Sequence, residues 1–190
     1  MKVGLFFGSF NPIHIGHLII ANTVLAKTDL QKIMFVVSPQ SPFKKNSSLI
    51  PEFDRLEMVR LAIFDNLDFE VSDIEFKMPK PSYTVDTLAY LSEKYPDREF
   101  TIIIGEDNLS HFDKWKNYES ILKYYRLIVY PRPNSKPSDL NIHNSVKMIN
   151  APLMEISATF IRDCVRNEES IMYLVHPDVE NYIIRKKIYT

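Results

Sequence analysis

The chain has 190 residues, 45% hydrophobic and 25% charged, with 23 Lys and Arg against 24 Asp and Glu for a net charge of −1. This is globular composition for one domain with a substantial core, expected over residues 1–190, and its near-neutral balance excludes a global basic field for nucleic acid or anionic membrane. No apolar run approaches the roughly 20 residues that span a bilayer, so a cytoplasmic protein is expected. The single Cys164 rules out an internal disulfide and a thiolate zinc cluster and reads as a packed thiol.

Residues 3–7 form an apolar run short enough for a buried strand and closed by Gly8; after the Ser9-Phe10-Asn11-Pro12 turn, apolar periodicity predicts a helix over 13–27. In a parallel sheet that junction lies at the carboxyl end of a strand, where the free amides and positive dipole of the helix suit phosphate. Gly8 would allow close backbone approach, Pro12 suits a first helical turn, and His14 and His17, three apart, share one helical face. Ordinary surface histidines or a metal-binding pair would also fit this spacing. Residues 33–38 read as a second strand, which makes a βαβ unit and hence a parallel sheet. The Pro- and Ser-rich stretch 39–51 carries Lys44 and Lys45 and has a length that tends to be functional or mobile.

A helix is predicted over 52–64, a short strand over 69–72, and a charged, proline-bearing connection over 73–81. Ser82 or Thr84 is the expected cap of a helix over 85–95. The plainest strand is 100–104, which stops at Gly105-Glu106-Asp107; Asp107 is a candidate for ribose hydroxyls, for a metal-bound water, or for a helix cap. Helical segments are expected over 108–112 and 118–125 around Trp115, strands over 127–130 and 146–149, a polar loop over 135–144, and closing helices over 157–165 and 177–187. Ser157 is a good N-cap, and with Thr159 and Arg162 it makes a second anion candidate after Ile156 or an ordinary capped surface helix. The alternation predicts an α/β fold: a Rossmann-like, doubly wound, mainly parallel sheet with helices on both faces and a helical C-terminal segment.

Two strings carry a family resemblance. GSFNPIHIGHL, residues 8–18, resembles the signature of the HxGH nucleotidyltransferases, and ISATFIR, residues 156–162, resembles their ISSTxIR segment, which holds the triphosphate of ATP. SYTVDTL (82–88), GEDNLSHFDKW (105–115) and YLVHPDVENYI (173–183) are similar to segments of the bacterial nicotinate mononucleotide adenylyltransferase branch, so the likeness covers essentially the full length. Departures are mild: Phe7 stands where many members carry glycine, Ser9 where many carry threonine, and Ala158 removes one hydroxyl of ISSTxIR.

The resemblance implies transfer of AMP from ATP to nicotinate mononucleotide in NAD biosynthesis. It implies that His14 and His17 meet the phosphates near the scissile bond, with Ser9 and the backbone of Gly8 and Phe10 beside them. Gly105, Asp107, Ile156, Ser157, Thr159 and Arg162 would bind ATP. Ser41-Pro42-Phe43-Lys44 resembles the family's PPHK and favours Lys44 over Lys45 as a phosphate ligand. Tyr83 and Thr84 would offer amides to the pyridine carboxylate, or simply cap a helix, and Trp115 would stack on the nicotinate ring, or pack as a half-buried core residue. Magnesium is implied, held mainly by ATP phosphates and water, with no all-protein metal site. The expected partners are therefore ATP and nicotinate mononucleotide, with no nucleic acid and no membrane, and self-association is allowed. Rival acceptors are nicotinamide mononucleotide and phosphopantetheine; a cytidylyltransferase shares the phosphate motifs, and a nucleotide-binding regulatory module is the non-enzymatic reading.

Overall fold

Hydrophobic alternation along the strands decides the layering. The computed structural model describes residues 1–39 and 49–190. Strand β1 (Lys2–Gly8) sends Val3 and Leu5 into one core and Phe6 into another, and β4 (Glu99–Gly105) repeats this with Ile102 and Ile104 against Ile103. A strand buried on both faces needs a layer on each side. With β2 (Lys32–Val37), β3 (Phe69–Ser72), β5 (Arg126–Tyr130) and β6 (Val146–Met148) these strands make one six-stranded sheet, ordered β3-β2-β1-β4-β5-β6 and parallel at every pairing. The register sets Leu5 opposite Met34 of β2 and Ile102 of β4.

Helices α1 (Ile15–Lys27), α2 (Glu52–Ile63), α6 (Ala158–Arg166) and α7 (Pro177–Lys186) supply residues of the Phe6 core. Helices α3 (Thr84–Lys94), α4 (Glu106–Leu109) and α5 (Tyr118–Tyr124) close the opposite face through Leu88, Leu109 and Ile121. The doubly wound architecture expected from the alternation is therefore present. Cys164 is free and buried in the first core, as its apolar setting suggested.

Several element ends differ from expectation. Helix α1 starts at Ile15 rather than near Ile13, with His14 as its extended N-cap. Neither Ser82 nor Thr84 caps α3: Tyr83 is the N-cap, and the Ser82 hydroxyl donates instead to Glu75. Gly105 is the N-cap of α4, so Asp107 lies inside that helix and does not cap it. The connection over 73–81 contains a 3-10 turn, Ile74–Lys77, that buries Ile74 and Glu75.

The fully buried Arg55 of α2 joins the layers near the site. Its guanidinium donates to the carbonyls of Ser9 (2.6 Å), Ser38 (2.7 Å), Pro39 (3.1 Å) and Ile50 (3.1 Å). No carboxylate pairs with it among the described residues; neighbouring Glu52 is bonded to Lys80. Each buried carbonyl left without a donor costs roughly 1–3 kcal/mol. Arg55→Met should therefore lower stability by at least about 3 kcal/mol, a fall in Tm of roughly 6–12 °C for a chain of this size. Thermal unfolding would contradict this role if Tm moved by less than about 3 °C.

Candidate active site

The chain runs outward from β1 to β2 and β3, then returns to β4 and runs outward to β5 and β6, so the strand order reverses between β1 and β4. Loops diverge at such a switch point, and ligands enter the crevice beyond the carboxyl ends of the strands. A cavity of about 750 Å³ opens there, lined by Gly8, Ser9, Tyr83, Thr84, Gly105 and Trp115 among others. All six were singled out from the sequence. Trp115 is half-buried against Phe112, with ring centroids 4.8 Å apart, and the cavity takes in its remaining face.

The two glycines do different work from that expected of a close-approach site. A Cβ on Gly8 would meet the Phe10 ring at 2.8 Å, so the absent side chain accommodates the turn's own aromatic ring. Phe10 sits at φ 45°, a left-handed conformation costing about 1–3 kcal/mol in a bulky residue and found mostly where function or packing over-determines it. Its ring is buried beside Phe6, Phe35 and His17, which leaves its backbone as the part a ligand could use. A Cβ on Gly105 would lie 2.3 Å from Asp107 and 3.0 Å from Arg132, so Gly105 makes room for those two side chains.

An adjoining crevice shares the Phe6 and Tyr130 wall and contains His14, His17, Arg132 and Ile156. Although His14 precedes the helix, its ring stacks on His17 at 3.7 Å. His17 Nδ1 accepts the His14 backbone N–H at 3.2 Å, the reach-back half of a capping box with an imidazole in place of Glu or Gln. An accepting Nδ1 leaves the proton of a neutral ring on Nε2, a ready donor. Gly16 lies beneath this stack: a Cβ there would meet His14 Nδ1 at 3.0 Å. The α1 terminus is less open than a bare helix start, because Leu174 O accepts from Ile15 N and His14 O from His17 N.

Burial, assisted by the Arg132 charge, lowers His14 from 6.5 to about 4. Burial, then the neighbouring His14 and Arg132, holds His17 well below its usual value. Both rings are thus neutral at pH 7. His14 Nδ1 is buried without a hydrogen-bond partner. Arg132 Nε stands 3.7 Å from Asp107, a loose contact between half-exposed groups.

At α6, Ser157 is the N-cap and accepts from Phe160 N at 3.2 Å, as its position in the sequence indicated. Arg162 reaches back across the fold, donating to Asn11 O at 2.7 Å and to Thr159 Oγ1 at 3.1 Å, while its Nε is buried without a partner. The second motif is thereby joined to the first through the Asn11 carbonyl. Asn11 also accepts from the Tyr189 hydroxyl at 2.8 Å. Lys44 and Lys45 lie outside the described residues.

Comparison with known proteins matches residues 5–164 to the cytidylyltransferase-like family model. The chain is 60% identical over 190 residues to a "Probable nicotinate-nucleotide adenylyltransferase" of Cytophaga hutchinsonii, covering 100% of this chain and 99% of that one. The chain belongs to the nicotinate-nucleotide adenylyltransferase family. A relative of the same name in Flavobacterium psychrophilum is 48% identical, with 100% and 99% covered. The nicotinic acid mononucleotide adenylyltransferase of Plasmodium falciparum complexed with NaAD has the same fold at TM-score 0.83, with 21% identity over 99% of this chain and 97% of that one. The same enzyme complexed with APC gives 0.81.

In this nicotinate-nucleotide adenylyltransferase framework, four charged lining residues went unnoticed in the sequence: Arg132 at the histidine crevice, and Glu75, Lys114 and Lys116 at the cavity. Arg132 had a usable signal, since it follows β5, the neighbour of β4, at the carboxyl end of the sheet. The others depend on tertiary packing. Lys116 pairs with Asp86 at 2.8 Å and lies 4.7 Å from the centre of the Tyr83 ring.

The depressed His14 value carries a sign. The folded state binds fewer protons than the unfolded chain between the two pKa values, so the contribution to stability is full above about 6.5 and is lost as the pH falls toward 4. The His14 share of the loss should be on the order of 3 kcal/mol and should be missing in His14→Gln, while the buried His17 keeps its own share in both proteins. NMR titration of the ring protons should put the His14 midpoint near 4; a midpoint at the ordinary 6.5 would contradict the buried, neutral ring.

Proposed function

We propose that this chain transfers AMP from ATP to nicotinate mononucleotide, forming nicotinate adenine dinucleotide and releasing pyrophosphate. The observation that carries the reading is a crevice of two stacked neutral imidazoles and a guanidinium, continuous along the Phe6 and Tyr130 wall with a cavity that ends at a helix start and an indole. The names of the relatives support the same acceptor.

In this reaction a phosphate oxygen of the mononucleotide attacks the α-phosphorus of ATP, and the bond to the β-phosphate oxygen breaks with its electron pair leaving on pyrophosphate. The nucleophile is already an anion, so the protein needs no strong base; its task is to align two polyanions and offset charge growing on the transferred and leaving groups. His17, held at Nδ1 by the His14 amide, offers Nε2–H to the phosphates, and His14 lies stacked beside it. Their neutrality lets them donate without an unpaired buried charge, while Arg132, Arg162 and Lys44 supply the positive charge. Ser9 and the Gly8 and Phe10 backbone line the phosphate path, and Ile156, Ser157 and Thr159 follow the triphosphate. Gly105 and Asp107 take the nucleotide at the end of β4.

At the far end, the amides of Tyr83 and Thr84 precede the first backbone bond of α3, which Asp86 donates to Tyr83. A helix start of this kind favours a pyridine carboxylate over a neutral amide, and Trp115 stacks on the ring. The described residues contain no group of three or more His, Cys, Asp or Glu side chains able to hold a metal. Magnesium fits this donor set as an ion carried by the phosphates, with Asp107 the carboxylate at hand for one of its waters. Its chemistry would be to neutralise the triphosphate.

Pyrophosphate release with ATP and magnesium should be fast with nicotinate mononucleotide and slow with nicotinamide mononucleotide or phosphopantetheine. Removing the donor in His17→Ala should cost roughly a hundredfold, about 3 kcal/mol of barrier. Gly16→Ala should lower the rate by displacing the His14 ring, which a Cβ there would meet at 3.0 Å. Equal rates with the amide would transfer the reading to that acceptor; ATP binding with no release would leave the regulatory module.

A further inference from the structure

A buried carboxyl group at the cavity has no part in the chemistry derived so far. Glu75 is 2% exposed, lies in the 3-10 turn Ile74–Lys77, and lines the cavity at its α3 end. No Lys, Arg or His pairs with it among the described residues. Its partners are two hydroxyls: Ser82 Oγ donates to Oε2 at 2.7 Å, and Thr87 Oγ1 donates to Oε1 at 2.9 Å. Burying such a group without a cation is costly, and hydroxyl donors offset only part of that cost. The position of those donors gives the arrangement its meaning.

Ser82 immediately precedes the α3 N-cap, Tyr83, and Thr87 follows at the end of the first turn. One carboxyl group therefore grips the helix start from both sides of Tyr83 and Thr84, two residues that line the cavity. The N-terminus of α3 lies beside the same carboxyl group. A second tie acts from outside, where Lys116 pairs with Asp86 and covers the Tyr83 ring. Tyr83 is held between an inner carboxyl clamp and an outer cation.

We infer that Glu75 is a positioning residue for acceptor specificity: by clamping Ser82 and Thr87 it sets the α3 amides at the distance and angle that distinguish a pyridine carboxylate from the corresponding amide. Backbone donors select an anion only while they converge on one point, and a displacement of less than 1 Å spreads them. Glu75 does not touch the phosphate crevice, whose residues are held separately by Arg55, Arg162 and the His14–His17 bond. Its effect is confined to one substrate. This inference rests on the assignment of the acceptor's pyridine ring to the α3 end of the cavity.

The test is steady-state kinetics of pyrophosphate release by the full chain, with ATP and each mononucleotide varied in turn. Glu75→Ala should raise KM for nicotinate mononucleotide on the order of tenfold, the effect of about 1.4 kcal/mol. It should leave KM for ATP within about twofold and should lower the acid-to-amide ratio of kcat/KM by the same factor. Glu75→Gln, which keeps a hydrogen-bonding group between the two hydroxyls, should recover most of that loss. If Glu75→Ala does not fold, Ser82→Ala and Thr87→Val each remove one side of the clamp and should shift the same KM by a smaller factor. Equal increases in both KM values, or a fall in Tm with an unchanged acid-to-amide ratio, would overturn the inference while leaving the proposed function standing. A wild-type protein with no turnover on nicotinate mononucleotide would overturn the proposed function itself.

Discussion

One buried guanidinium holds together the loops that border the proposed phosphate site. Arg55 takes the Ser9 carbonyl from the turn after β1, the Ser38 and Pro39 carbonyls from the end of β2, and the Ile50 carbonyl from the approach to α2. These are three separate chain segments, of which the first two are also joined by the Ser38 N–H donating to the Gly8 carbonyl at 2.9 Å. A buried cation without a carboxylate partner would ordinarily be expensive, but four carbonyl dipoles aimed at it replace water. Because a trans peptide points its C=O and N–H in opposite directions, binding the Ser9 carbonyl turns the Phe10 N–H away from Arg55. Arg162 holds the same turn from its other end by donating to the Asn11 carbonyl, whose peptide to Pro12 carries no N–H. Two arginines from different helices thus shape one short turn.

Charge is divided between two kinds of group. The imidazoles at the crevice are neutral because burial and Arg132 keep them so, and their contribution is directional donation. Full positive charge stands further out, on Arg132, which is half-exposed and only loosely engaged by Asp107. Had the histidines been charged as well, three cations would face one another in a narrow space before any anion arrived. The distribution keeps the empty fold stable and still presents donors to a polyanion.

The layers could be read from the sequence because they follow from continuous apolar runs such as β1 and β4 and from the succession of strands and helices, which are local properties, whereas the strand order came only from the fold. The GSFNPIHIGHL and ISATFIR strings were legible too, since each lies where a strand or loop meets a helix start. What escaped was either non-local or a matter of one residue. Arg132 and Lys116 are ordinary surface residues in sequence and acquire meaning only from what the sheet order brings beside them. Glu75 sits in a stretch whose charges and prolines suggest a solvated connection, yet two hydroxyls downstream bury it. His14 was expected inside the helix; it became the cap because the His17 imidazole satisfies its amide, a pairing that lies outside the usual Ser, Thr, Asp and Asn preferences. Arg162 was read as part of an anion candidate at its own helix start, but in the fold it is partly engaged by the Asn11 carbonyl of the first turn.

The packing of the Phe10 ring over Gly8 has a bearing on how such a site can change. Substitution at position 8 alone collides with the ring, and substitution at position 10 alone opens a void beside Phe6, Phe35 and His17. The two positions act as a single variable, and the imidazole beside the ring is tied to it. A randomised library that samples them one at a time would find the turn immutable. Sampled together, a small residue at 10 with a larger one at 8 opens a path to altered turns that single steps cannot reach.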